Sequence, residues 1–203
     1  MLRETIIDIF ENIWPMLFIF SIVLVSIRLV YLYEKKEPVI LYKELLNLLF
    51  ILYILCLFHV VTFQDVSWSS SNFVPFKEMF RYEIGSRLFF KNVVGNILMF
   101  IPYGFFTSYI IKAKKKSFVL LLILIASITV ETTQFWIGRV FDIDDILLNL
   151  LGGIVGYLIY RVLFNLREKL PKRLKKVLFY NIMFIVLIIV LILYFSKVIS
   201  FGV

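Results

Sequence analysis

Long apolar segments, separated by short polar stretches, dominate the chain. Each segment has roughly the 20 apolar residues that a membrane-spanning helix needs, so the pattern predicts six spans. They cover residues 12–33, 44–63, 92–111, 117–137, 146–164 and 177–196. Neither an internal repeat nor a low-complexity linker interrupts the pattern. We therefore expect an all-α, polytopic transmembrane helix bundle that forms a single domain over residues 1–203.

The longest predicted connection joins the second span to the third, over residues 64–91. Within it Phe73, Phe76 and Phe80 recur at helical spacing beside charged residues. This arrangement favours an amphipathic segment that lies in the outer membrane interface. An aromatic-rich loop folded onto the bundle is an equally good interpretation.

Positive charges in the loops predict the orientation of the chain. Lysines and arginines fill the connections 34–43, 112–116 and 165–176, which all fall on one side of a six-span protein. The positive-inside rule makes that side cytoplasmic and places both termini outside the cell. The net charge of +8 accompanies a sequence that is 62% hydrophobic. The expected partner is therefore the lipid bilayer, and nucleic acid is not expected.

Polar side chains inside the apolar segments predict where packing or function requires them, because unsatisfied polar groups are costly in a bilayer. Counted from the outer end of each span at about 1.5 Å per residue, they lie roughly 5–9 Å deep. This outer polar layer contains Asn96, Glu131, Gln134 and Asn149. His59 lies at a similar depth, and we expect it to be a packing residue.

Glu131 is the most informative residue of this layer. It lies three residues before Gln134, so the two side chains share one helix face. Glu131 is either a general acid, general base or binding group, or a neutral carboxyl that joins helices by hydrogen bonds. Both interpretations remain open. Gly152 and Gly156 form a G-x-x-x-G pattern, which favours close helix packing over chemistry.

An acidic turn opens the fifth span, where Asp142, Asp144 and Asp145 follow Arg139. Carboxylates at a helix N-terminus satisfy free backbone N–H groups without any ligand. Three acids exceed what capping needs, so we expect some of them to bind a cationic or polyhydroxyl group. Oxygen ligands of this kind suit Mg²⁺ or Ca²⁺, but the spacing is not that of an EF-hand. We expect neither a metal nor another cofactor.

At these residues the chain resembles the VanZ-like family of bacterial membrane proteins. The matching motifs are the segments 72–76 (NFVPF), 92–96 (NVVGN) and 100–105 (FIPYGF), followed by Glu131, Gln134, Arg139, the turn 142–145, Asn149 and the glycine pair 152–153. The resemblance covers about residues 45–165 as a family core. The spans at 12–33 and 177–196 flank this core and are only loosely similar to the family.

The resemblance implies a multi-pass protein of the bacterial cell membrane that contributes to resistance against teicoplanin-class glycopeptides, lipopeptides or cationic peptides. Three functions remain open. The chain could bind a lipid-linked cell-wall precursor or the antibiotic in an outer polar pocket, act as an enzyme on a lipid phosphate or peptidoglycan lipid, or transport a lipid. The family gives no catalytic residue. The candidate binding residues are Asn96, Glu131, Gln134, Arg139, Asp142, Asp144, Asp145 and Asn149.

Overall fold

A computed structural model describes the backbone of residues 2–63, 71–112, 115–172 and 174–200. The helices are α1 (Leu2–Lys35), α2 (Leu41–Phe63), α3 (Arg87–Ile110), α4 (Lys116–Trp136), α5 (Ile143–Lys169) and α6 (Val177–Ser200). Within the described residues, five helices are long and apolar enough to cross a membrane, and residues Val177–Val190 of α6 form a shorter apolar stretch. The predicted all-α polytopic bundle is thereby confirmed. Both α3 and α5 begin a few residues earlier than predicted.

The first and last helices pack on α2 near the end where the lysine-rich loops lie. Arg28 of α1 forms two hydrogen bonds to the carboxylate of Glu44 in α2, at 2.8 and 3.1 Å. Asn181 of α6 accepts a hydrogen bond of 3.1 Å from the backbone N–H of Tyr42, in the first turn of α2. A side chain of α6 therefore satisfies one of the N–H groups that a helix start leaves without an intrahelical partner.

The most extensive helix–helix contact of the described residues joins α3 to α5. A methyl group on Gly152 would overlap the carbonyl group of Ile97, and one on Gly156 would overlap that of Ile101. On the facing helix, a methyl group on Gly104 would overlap the carbonyl group of Gly153. Glycine is needed at these positions because the two backbones touch directly. The predicted packing role of the G-x-x-x-G pattern is confirmed.

A buried apolar cluster lies beside this contact and fixes the position of α2 and α4. Its members are Val61 of α2, Phe100 of α3 and Val119, Ile123 and Val130 of α4. Ile123 also lies against Gly153 of α5, so its side chain belongs to the apolar cluster and also contacts the glycine face of α5. The core therefore packs the ends of α2 and α4 against α3, and the polar residues near those ends are held with them.

Helix α3 contains a π-helical turn over Phe90–Val94, where the backbone N–H of Gly95 bonds to the carbonyl oxygen of Phe90. Pro102 lies in the α-helical part of α3 that follows this turn. The hydroxyl of Tyr53 in α2 donates to the carbonyl oxygen of Met99 at 2.7 Å. Proline distorts a helix and leaves nearby carbonyl groups in need of donors. Tyr53 therefore links α2 to the part of α3 that the proline disturbs.

Between α2 and α3, residues 71–86 form a series of turns, whereas residues 64–70 lie outside the described part of the chain. We call residues 71–86 the outer turn segment, after the side of the membrane on which the loop charges predict it to lie. Phe73, Phe76 and Phe80 are exposed, but they do not lie on a regular helix. Phe76 has a φ of 67°, a conformation that bulky residues rarely adopt. The location of this segment in the membrane interface stays a prediction.

Candidate functional site

Asn72 joins the outer turn segment to the start of α5. Its backbone N–H donates to the carbonyl oxygen of Phe141 at 2.9 Å, and its carbonyl oxygen accepts from the N–H of Ile143 at 3.1 Å. The Asn72 amide also donates to the carboxylate of Asp142 at 2.9 Å. Only 4% of Asn72 is exposed. Asn72 belongs to the first motif of the resemblance, but the sequence did not single it out as a candidate site residue.

Asp144 anchors the same segment through its carboxylate. It accepts hydrogen bonds from the backbone N–H groups of Phe76, of Glu78 at 2.8 Å and of Met79 at 3.0 Å. Asp144 is 1% exposed, and these donors stabilise its buried charge. The turns are therefore arranged around a carboxylate from α5. This arrangement explains why the three phenylalanines do not form the helix that their spacing suggests.

Asp142 is the N-cap of α5, where its carboxylate accepts from the N–H of Asp144 at 2.9 Å. Burial raises the pKa of Asp142, although the hydrogen bonds from Asn72 and from the Asp144 N–H oppose that rise. Its own N–H donates to Oε2 of Glu131 at 3.1 Å. Asp142 thus links the outer turn segment, the start of α5 and the end of α4.

Glu131 lies beneath this turn and is 1% exposed. In the amide orientation that satisfies its neighbours, Gln134 donates to Oε1 of Glu131 at 3.0 Å and accepts from Arg139 at 2.7 Å. Arg139 also donates to the carbonyl oxygen of Val61, at the end of α2, at 3.1 Å. The predicted pair Glu131 and Gln134 therefore connects Asp142 to Arg139 and to α2.

Asp145 and Asn149 follow on the same face of α5. Asn96 of α3 donates to Oδ1 of Asp145 at 2.6 Å. Asn149, which is buried, donates to the hydroxyl of Ser127 in α4 at 3.1 Å. Each of these bonds joins two helices, as polar groups commonly do in membrane bundles. Ser127 was missed from the sequence because serine is common in membrane helices and gives no pattern of its own.

The structure thus brings the predicted residues to one end of the bundle, where they lie in separate hydrogen-bonded groups. The contacts described above link Asn96 to Asp145, Asn149 to Ser127, and Glu131 to both Gln134 and Asp142. His59 belongs to α2, and its ring packs against Phe63 with centroids 4.9 Å apart. This contact agrees with the packing role that we expected for the histidine.

A cavity of about 620 Å³ opens above this region. The outer turn segment, the first turns of α3 and the residues from Arg139 to the start of α5 form its walls. Of the predicted residues, Arg139, Asp142, Asp144 and Asp145 line it. The lining includes further polar side chains that were not candidates: Asn72, Glu78, Arg81, Tyr82, Glu83, Ser86, Lys91 and Asn92. Burial raises the pKa of Tyr82, and the nearby carboxylate of Glu78 adds to that shift.

The Asn72→Ala variant should be less stable by about 1–3 kcal/mol, the cost of removing a partner from a buried polar group. The loss should depend on pH. The folded-state pKa of Asp142 lies above its unfolded value of about 3.9. The folded state therefore loses stability as the pH rises from the unfolded-state pKa through the folded-state pKa, because Asp142 ionises less readily when folded. Asn72 reduces this cost by binding the carboxylate. The variant should therefore lose more stability at mildly alkaline pH than at acidic pH.

Thermal unfolding in detergent at several pH values measures the effect of Asn72→Ala. Asn165→Ala is the matched control, because Asn165 is an exposed asparagine near the other end of α5. The control should unfold like the wild type at every pH. An Asn72→Ala loss that stays constant with pH would show that the bond to the Asp142 carboxylate is not the cause.

The fold and this cavity define a class: polytopic α-helical membrane proteins with a polar site at one end of the bundle. A family model described as VanZ/LLP1 matches residues 48–165, more than half of the 203 residues. The chain belongs to the VanZ/LLP1 family, and the resemblance stated from the sequence is confirmed. Searches of curated proteins and of solved structures gave no match.

Proposed function

We propose that this chain is a bacterial envelope protein that contributes to resistance against glycopeptide or lipopeptide antibiotics. In this proposal the cavity binds the polar headgroup of a lipid-linked cell-wall precursor and lowers access of the drug to it. The cavity itself is the observation that carries the proposal. Its size and its lining with both acidic and basic side chains suit a headgroup that has hydroxyl groups as well as charge.

The positive-inside rule supports an outer location for the cavity. The cavity lies at the end of the bundle where α2 ends and α5 begins, whereas Lys35, Lys112 and Lys169 lie at the opposite ends of their helices. Lysine-rich loops favour the cytoplasmic side. We therefore place the cavity at the outer leaflet, where a precursor and an antibiotic would meet, and both chain termini on the outer side.

The contacts support different roles for the candidate residues. Asp145 lines the cavity, so its carboxylate would bind hydroxyl or amine groups of the ligand. Glu131 does not line it, and both of its oxygens accept hydrogen bonds from the protein. We therefore assign Glu131 a positioning role, in which it holds Asp142 and, through Gln134, Arg139. Asp144 would shape the wall formed by the outer turn segment.

The test is teicoplanin susceptibility of a Gram-positive host that expresses each variant at the same membrane level. Wild-type protein should protect the host. Asp145→Asn keeps the shape of the side chain but replaces its ionisable carboxyl group, and it should return the host to the susceptibility seen without the protein. Glu37→Gln is the matched control, because Glu37 is exposed in the loop between α1 and α2. It should protect like the wild type.

Two results would contradict the proposal. If Asp145→Asn protects as well as the wild type, the cavity does not carry the resistance. If the wild type gives no protection against glycopeptide or lipopeptide drugs, the resistance role does not apply to this family member. Fluorescence-detected size-exclusion chromatography of each variant confirms that a loss of protection is not a loss of folded protein.

A further inference from the structure

The first turns of α3 form one side of the cavity, and their backbone is unusual. Leu88, Lys91, Asn92 and Val93 all line the cavity, and the last three belong to the π-helical turn. A π-helical turn contains more residues than an α-helical turn, so successive side chains diverge less. This geometry lets three consecutive residues face one cavity. π-helical turns occur frequently at functional sites.

Lys91 brings a positive charge to this wall. Among the residues whose side chains the structure describes, no hydrogen bond or ion pair engages its ammonium group. The neighbouring acids are engaged elsewhere: Asp144 binds backbone N–H groups, Asp142 binds Asn72, and Glu78 binds Arg81 at 2.9 Å. Lys91 therefore presents a cation to a ligand in the cavity.

Acids engaged in this way repel an anionic ligand less than free carboxylates would, because donors already stabilise their charge. Asp145 is likewise bound by Asn96. Glu83 also lines the cavity; it is exposed, as Lys91 is, so solvent and salt screen both charges alike. Asn92, next to Lys91, hydrogen-bonds the Tyr82 side chain, and its amide has a second N–H of the kind that binds phosphate oxygens.

The same side of the cavity opens onto an apolar surface. Leu88 lines the cavity and is also 57% exposed, so the cavity wall continues directly into the exposed surface of the bundle. Ile84, which lies four residues before Leu88, is exposed as well. Exposed apolar side chains on a membrane-embedded helix face lipid tails. A ligand bound at Lys91 could therefore keep an acyl or prenyl chain against this surface.

We infer that the π-helical turn is the phosphate-binding part of the cavity, where Lys91 and Asn92 bind the phosphate of a lipid whose chain lies along Leu88. The inference rests on the proposed function, since it assigns the lipid phosphate of the same ligand to one wall of the same cavity. No bond forms or breaks in this step. The phosphate binds through the lysine charge and the asparagine amide.

The test measures how a polyprenyl phosphate changes the thermal unfolding of the purified full-length protein in a neutral detergent. Polyprenyl phosphate should raise the unfolding temperature of the wild type in a saturable way, whereas diacylglycerol, which lacks phosphate, should not. Lys91→Gln should weaken the apparent affinity roughly tenfold to a hundredfold, the loss expected for one charged hydrogen bond. Lys91→Arg should retain most of it.

Arg87→Gln is the matched control, because Arg87 is an exposed cation one turn before Lys91 that does not line the cavity. It should bind polyprenyl phosphate like the wild type. Phosphatidylglycerol and inorganic phosphate identify the source of the phosphate. If phosphatidylglycerol is as effective, the site takes bulk anionic lipid; if inorganic phosphate alone is as effective, the chain does not contribute and the lipid part of the inference is wrong.

Two failures can be told apart. If the wild type binds polyprenyl phosphate but Lys91→Gln and Arg87→Gln bind it equally well, the assignment to the π-helical turn is wrong and the proposed lipid-binding cavity is not affected. If polyprenyl phosphate does not stabilise the wild type at all, both the assignment and the proposed precursor binding are wrong. The susceptibility assay with Asp145→Asn uses neither polyprenyl phosphate nor the Lys91 variants, so it tests the resistance role separately.

Discussion

The Asp144→Ala variant will release the outer turn segment from the bundle. The carboxylate of Asp144 holds backbone N–H groups of three residues in this segment, and each bond to a charged acceptor contributes about 1.5–3 kcal/mol. Because the three bonds share one carboxylate, their contributions do not add in full, and loss of all three should destabilise the anchored segment by about 3–5 kcal/mol. Amide hydrogen exchange of Phe76, Glu78 and Met79 should then be faster by roughly two orders of magnitude or more.

Hydrogen–deuterium exchange by mass spectrometry in detergent micelles measures this effect, with proteolysis of the segment as a second readout. Glu83→Ala is the control, since Glu83 belongs to the same segment but is exposed. It should leave the exchange rates of the three amides unchanged. Asp144→Asn should give an intermediate rate, because its amide oxygen still accepts hydrogen bonds but has no charge. Unchanged protection in Asp144→Ala would mean that other contacts hold the segment.

The Gly156→Ala variant will push α3 and α5 apart. A methyl group at this position would overlap the backbone carbonyl of Ile101, and a backbone cannot move aside by changing a side-chain rotamer. Overpacking of a tight contact costs about 1–3 kcal/mol, and we expect a value near the upper limit because the two helix backbones must separate. The unfolding temperature in detergent should fall, and the amount of folded protein in the membrane should fall with it.

Gly95→Ala separates this steric effect from the general effect of replacing glycine. Gly95 also lies in α3, but a methyl group there would meet only the carbonyl oxygen of Phe90 at an ordinary distance of 3.6 Å. Alanine is a better helix former than glycine by up to about 1 kcal/mol, so this control should be as stable as the wild type or slightly more stable. Equal losses in both variants would contradict a specific close contact at Gly156.

The apolar segments and the positions of polar residues within them predicted much of this molecule. Membrane helices are long and nearly continuous in sequence, so length and apolarity alone reveal them. The glycines at 152 and 156 could be interpreted because their spacing has a simple geometric meaning. Depth along a helix follows from residue number, which is why Asn96, Glu131 and Asn149 could be placed near one another before the structure was available.

The parts that could not be predicted depend on where the backbone of the outer turn segment goes. Asp144 was a candidate for ligand binding, but its partners are backbone N–H groups of a distant segment, and no side-chain pattern records such contacts. The same is true of Asn72, whose backbone pairs with the residues on either side of Asp142. The π-helical turn was missed because its sequence, FKNVV, forms an ordinary α-helix equally well.

The bridge between Asn72 and Asp142 joins residues that are 70 positions apart, and this distance has a consequence for biosynthesis. A ribosome completes the outer turn segment before it has made α4 and α5. During that interval Asp144 does not yet exist, and the three backbone N–H groups have no acceptor from α5. The segment can acquire its final shape only after α5 enters the membrane. A chain that stops before α5 would therefore lack the carboxylate that anchors this phenylalanine-rich segment.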